Sequence, residues 1–194
     1  LCYSRELEKK TGDSTIGDSF DGLFHVNEGT LINKETGEVF ALNNQLIETS
    51  ASNDYVFCMF GIPAHTEHFH FSDEQRERMK SFGDSALIIL DSKKFIDRVT
   101  GAAKAQGYTA RFGKVNYIDT NDDYANVFLS MRDSIQNVAF WKRIMYAYQK
   151  ECRFIFSPGK ADVDHLELNI GDISDISLIV SAESALTAMV NKSH

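Results

Sequence analysis

Apolar residues fall in short blocks separated by turn formers, with two distinct periods along the chain. Two apolar arms, Leu31-Ile32 and Val39-Phe40, flank Lys34-Glu35-Thr36-Gly37 and predict a β-hairpin over residues 30–40. Residues 55–62 form a continuous apolar run closed by Gly61 and Pro63, the pattern of a buried central strand. Residues 86–90 read as a second buried strand, and 111–118, 166–170 and 173–180 as further strands. Helical signals lie among these. Ser72 before Asp73 and Glu74 is a helix start with Gly83 as its stop. Asp91 or Ser92 caps a helix in which Phe95, Ile96, Val99 and Ala103 recur at helical spacing until Gly107. Residues 124–150 lack Gly and Pro, and apolar positions from Val127 to Tyr148 at three-four spacing predict a long helix with one break. A closing helix is expected over 181–190. Strands and helices do not alternate regularly, so the expected fold class is α+β, with a mainly antiparallel, split sheet and several flanking helices.

Composition narrows the class of protein. At 43% hydrophobic and 25% charged, 194 residues suffice for one well-buried core, and no Pro-rich or Ser/Gly-rich tract marks a linker, so a single domain over 1–194 is expected. The longest apolar runs are far short of the roughly 20 residues of a membrane-spanning helix. No basic-then-apolar leader follows Leu1, and Cys2, Cys58 and Cys152 are odd in number and widely spaced. Reduced, mostly buried thiols in a cytoplasmic protein are therefore expected, with no membrane partner. A net charge of −8 opposes long nucleic acid, and Lys142-Arg143 reads as a solvated helix face.

The most informative stretch is Tyr148-Gln149-Lys150-Glu151-Cys152-Arg153-Phe154-Ile155-Phe156. In a strand, Glu151, Arg153 and Ile155 share one face, and Cys152, Phe154 and Phe156 the other. A carboxylate then heads a strand built for burial, which calls for an ion pair, Arg153 being the nearest cation, or for a catalytic role. Other constellations carry less. His65, His68 and His70 are dense enough to suggest a metal, but nothing completes a tetrahedral ligand set, so no metal is expected; in an extended segment His68 and His70 share a face opposite Phe69 and Phe71. Asp119, Asp122 and Asp123 lack the glycine and terminal glutamate of a calcium loop. Gly12, Gly17 and Gly22 match no phosphate-binding pattern and read as a turn-rich loop.

A Gln-x-Glu triplet heading a strand of bulky apolar residues resembles the third signature of ADP-ribosyltransferases. The resemblance implies NAD as substrate, with no metal. Glu151 would be the catalytic residue that stabilises the ribosyl cation formed as the nicotinamide bond breaks, with Gln149 positioning the nucleophile. In that family an Arg or His on an early strand holds NAD, and Cys2-Tyr3-Ser4-Arg5 is the nearest match, giving Arg5 and Tyr3 as cofactor-binding candidates. Ser50-Ala51-Ser52 is the closest match to the middle signature, so Ser52 joins them, and Tyr55 would stack on nicotinamide. The acceptor would be a macromolecule, protein or nucleic acid. The run from Ile16 to Gly22 through Phe82-Gly83-Asp84, Val115-Asn116-Tyr117 and Phe140-Trp141-Lys142 to Arg153 also looks like a set of small bacterial and phage-associated proteins, which implies a toxin or antiphage-defence role. Two classes stay open: an ADP-ribosyl transfer enzyme, or a non-catalytic binding or regulatory protein in which a Glu151–Arg153 pair stabilises the sheet.

Overall fold

The alternation at 151–156 becomes the middle strand of a three-stranded antiparallel sheet in the computed structural model, which describes residues 23–48, 54–62, 68–119, 135–158, 165–188 and 190–191. In chain order the strands are β1 (Leu23–Ile32), β2 (Val39–Glu48), β3 (Tyr55–Phe60) and β4 (His68–Phe69), followed by helix α1 (Asp73–Met79) and β5 (Ser85–Ile89). Helix α2 (Ser92–Ala105) leads to β6 (Thr109–Lys114) and β7 (Asn116–Ile118). Then come β8 (Trp141–Arg143), β9 (Glu151–Ser157), β10 (Ser177–Ser181), α3 (Ala182–Thr187) and β11 (Val190–Asn191). The fold class is α+β, and among the described residues every strand pair is antiparallel except β7–β8.

The main sheet runs β3–β9–β6. Its two faces are set by the period of two in β9. Phe154 and Phe156 pack under Phe95, Val99 and Ala103 of α2, together with Tyr108 and Ile176. Helix α2 forms because Asp91 accepts from the Lys94 amide at 3.0 Å and closes the first turn, while the apolar residues recur on one face. On the opposite face Ile155 packs against Ala139 and Phe140. Both faces of β9 are therefore covered, and Glu151 and Arg153 are buried with it.

Several expectations hold and others shift. The hairpin is β1–β2, with Gly37 at φ +73° in its turn and Asn33 accepting from the Glu35 amide. Ser72 caps α1 in a capping box with Gln75. The strand expected over 55–62 is β3, Tyr55–Phe60, an edge strand instead of a central one, with Phe57 and Cys58 exposed. Cys58 thus departs from the expected buried thiol, and Cys152 is half-buried; neither is in a disulfide. Among the described residues the strand expected over 86–90 pairs only with β10 and leaves Leu87 exposed. The strand expected over 111–118 breaks at Val115 into β6 and β7. Leu166, Leu168 and Ile170 alternate toward the core but join no strand ladder.

The long helix does not form over 135–149. Two 3₁₀ turns, Ile135–Phe140 and Ile144–Gln149, flank the short strand β8. The physical reason is long-range: β8 pairs in parallel with β7, Asn116 opposite Trp141 and Tyr117 opposite Lys142, a pairing that no helix could offer. Among the described residues no helix is long and apolar enough to cross a membrane.

Candidate functional site

The segment from Trp141 to Arg153 brings three charged side chains to one point. Lys142 is buried, in contrast to the solvated face expected for it, and its Nζ donates to Glu151 Oε1 at 2.6 Å and to Gln149 Oε1 at 2.7 Å. Arg153 Nε donates to the other Glu151 oxygen, Oε2, at 2.7 Å, and its Nη1 donates to the Ala139 carbonyl at 2.8 Å. Lys142 also lies 4.6 Å from the centroid of the buried Tyr146 ring, whose negative face favours an ammonium. Lys150, between Gln149 and Glu151, takes a left-handed conformation at φ +43°. That turn ends the 3₁₀ segment and starts β9, and both members of the Gln-x-Glu triplet reach the same lysine.

The backbone of Glu151 is held as firmly as its side chain. Its amide donates to the Tyr117 hydroxyl at 2.8 Å, and its carbonyl accepts from the Val115 amide at 2.9 Å. Burial pushes the Tyr117 phenol well above its ordinary range, more than the Glu151 amide bond lowers it. Burial likewise pushes the Cys152 thiol up, against a smaller opposite pull from Lys114, so Cys152 is not poised as a thiolate.

Beside this cluster lies an open cleft of about 340 Å³, lined by β6, Asn116, Asn137, Phe140 and Trp141. Arg111 Nη2 donates to Asn137 Oδ1 at 2.6 Å, and the Arg111 guanidinium lies 5.6 Å from the Phe140 ring centroid. Gly113 keeps the wall bare: a Cβ there would come within 3.0 Å of Phe140. The cleft and the buried cluster share one segment. Ala139 and Lys142 hold Arg153 and Glu151 from behind, while Phe140 and Trp141 line the cleft.

Of the residues that the sequence points to, Glu151 and Gln149 are brought together around Lys142. Tyr55 is not brought to them. It pairs with Phe156, on the opposite face of the sheet from Glu151, and packs edge-on to Tyr108 at 5.9 Å. Tyr3, Arg5 and Ser52 lie outside the described residues, as do His65, Asp122, Asp123 and the loop containing Gly12, Gly17 and Gly22. His68 and His70 are exposed while Phe69 and Phe71 are buried, the alternation expected of that segment. Among the described residues no three His, Cys, Asp or Glu side chains gather as metal ligands. Sequence reasoning missed Lys142 and the cleft residues Arg111, Asn116 and Asn137. The signal for Lys142 was present: a lysine inside the apolar block from Val138 to Met145. Comparison of the chain with protein-family models, with curated proteins and with solved structures finds no match.

Proposed function

We propose that this chain is a non-catalytic binding or regulatory protein in which Glu151 acts as a structural anion bracing a ligand cleft. The observation that carries this is the double engagement of the Glu151 carboxylate: Lys142 holds one oxygen and Arg153 the other, with Glu151 only 9% exposed. Each oxygen of the carboxylate thus faces a buried cation, and moving it would strand two buried cations. The cleft itself is lined by other residues. A cytoplasmic location accords with this, supported by Cys58 and Cys152 being in no disulfide.

The test compares the wild-type protein with Glu151→Gln for nicotinamide release from NAD and for stability in denaturant. No release by either protein is expected, with a loss of about 3–5 kcal/mol in the variant, because the two cations keep their burial and lose their anion. Nicotinamide release by wild type that disappears in a folded Glu151→Gln protein would overturn the proposal.

That outcome would favour the second reading, an ADP-ribosyltransferase acting on a macromolecular acceptor in a toxin or defence setting. One observation supports it: Gln149 and Glu151 converge on a single cation, Lys142 Nζ, at 2.7 and 2.6 Å. A ribosyl cation taking the place of that ammonium would meet the same two oxygens.

A further inference from the structure

We infer that β10 pairs with β10 of a second copy of this chain, antiparallel about a two-fold axis at Ile179, joining two β5–β10 ribbons into one four-stranded sheet. This goes beyond the binding function proposed above and does not depend on it.

The phase of the ladder is the first ground. The Leu90 amide donates to the Ile176 carbonyl at 2.8 Å and the Ala182 amide to the Asp84 carbonyl at 2.9 Å, bonds that continue the β5–β10 register by one residue at either end. Bonded and non-bonded pairs alternate along an antiparallel ladder. Leu178 and Val180 therefore turn their backbone groups toward β5, and Ser177, Ile179 and Ser181 turn theirs away. Among the described residues no strand pairs with that outer edge. An open edge templates another strand unless charge, proline or a bulge blocks it, and β10 carries neither charge nor proline. Its middle is apolar and open to solvent, Ile179 at 74% exposure and Leu178 at 51%.

The sequence of the edge selects the occupant. Ser177-Leu178-Ile179-Val180-Ser181 has the same pattern in either direction, an isoleucine between two aliphatic residues and two serines. Antiparallel pairing about Ile179 sets Ser177 opposite Ser181 of the second copy, Leu178 opposite Val180, and Ile179 opposite itself, the self-complementarity of a two-fold interface. The residues that would exchange hydrogen bonds, Ile179 with Ile179 and Ser177 with Ser181, are those whose backbone groups point outward. The strand β5 has no such symmetry, since its reversal sets Ser85 against Ile89. Leu87 is exposed and lies directly opposite Ile179 within each ribbon, so the dimer aligns Leu87, Ile179, Ile179 and Leu87 in one aliphatic row across four strands. A two-stranded ribbon is marginal in water, and further strands stabilise it. A five-residue ladder falls below the roughly 1,000 Å² of a stable interface, so the dimer is a reversible one.

Sedimentation equilibrium of the wild-type protein from micromolar to near-millimolar concentration is expected to show monomer and dimer in exchange. Ile179→Lys and Ile179→Glu change a largely exposed position, and each sets like charges against one another on the axis. Each is expected to weaken dimerisation by roughly tenfold or more. An equimolar mixture of the two variants is expected to recover it, because at the axis position 179 meets itself and the charges become opposite. The wild-type protein also reports without substitution: amide exchange followed by NMR is expected to slow at Ile179 with rising concentration, more than at Leu178 and Val180. A monomer at every concentration overturns the inference, as does a dimer indifferent to both substitutions or a mixture of the variants that stays monomeric. A monomer whose Ile179 amide is protected at every concentration overturns it as well, assigning the edge to another segment of this chain. Should either variant fail to fold, exchange at Ile179 in the wild-type protein decides alone, and no dependence on concentration overturns the inference.

Discussion

Glu151 holds two cations with two oxygens, and its backbone amide depends on a third group, the Tyr117 hydroxyl. Removing that hydroxyl leaves a buried amide without its acceptor, so Tyr117→Phe is expected to cost about 1–3 kcal/mol in a urea melt at neutral pH. The same phenol makes stability fall at alkaline pH. Burial raises its pKa in the folded protein, while an unfolded tyrosine ionises near about pH 10. The folded state therefore keeps a proton that the unfolded state releases. The contribution is whole below about pH 10 and is lost as the pH rises toward the folded value. Urea melts at several pH values above 9 should show this slope in wild type and a shallower one in Tyr117→Phe. An identical slope in both proteins would assign the alkaline limb to other groups.

Elements meet at places where a single atom decides the fit. Gly61, just past β3, donates to the Lys150 carbonyl at 2.8 Å, and a Cβ there would sit 2.5 Å from Cys152 Sγ. Gly61→Ala is expected to cost about 1–3 kcal/mol through overpacking. The cost should shrink in a Cys152→Ala background, where the facing Cβ lies at 3.7 Å, and a double-mutant cycle in denaturant measures that coupling. At the start of α2, the Lys94 amide lowers the Asp91 pKa, so the cap is fully formed above the ordinary aspartate value of about 3.9 and is lost as pH falls through the lower folded value. Amide exchange in the first turn of α2 should accelerate only at that acid limit, and in Asp91→Asn it should not follow carboxyl titration. Caps of this kind were legible in the sequence because Ser72 and Asp91 act within three residues. So was the alternation in β9, where one period fixes both faces. The path of residues 135–149 was not. Its three-four spacing is genuine, but β8 is created by β7, and a local window cannot see a partner strand. The same blindness hid the edge position of β3, and it hid the cleft, whose Asn116 and Trp141 come from separate segments. Gln149 and Glu151 were visible as a pair because they are neighbours in the chain; the lysine that gathers them was not.

Across the whole molecule, the buried cluster and the cleft are two sides of one wall, which raises the question of whether charge in the cluster is required or only shape. Replacing a buried ion pair by apolar residues of similar volume is often neutral or stabilising by about 1–4 kcal/mol, whereas removing one partner is costly. Here the Ala139 carbonyl and the Gln149 side chain would lose donors, each loss costing about 1–3 kcal/mol, which offsets much of the gain. The triple variant Lys142→Met, Glu151→Leu, Arg153→Met is therefore expected to fold cooperatively, within about 2 kcal/mol of wild type, while Glu151→Gln alone is far less stable. Because Phe140 and Trp141 are untouched, the triple variant should also keep the wild-type fluorescence spectrum of Trp141. Such a result would make the cluster a replaceable brace behind the cleft. If it instead melts broadly or shifts that spectrum while Phe140 and Trp141 remain, the charges themselves set the β7–β8 register, and the cleft depends on their electrostatics as well as on packing.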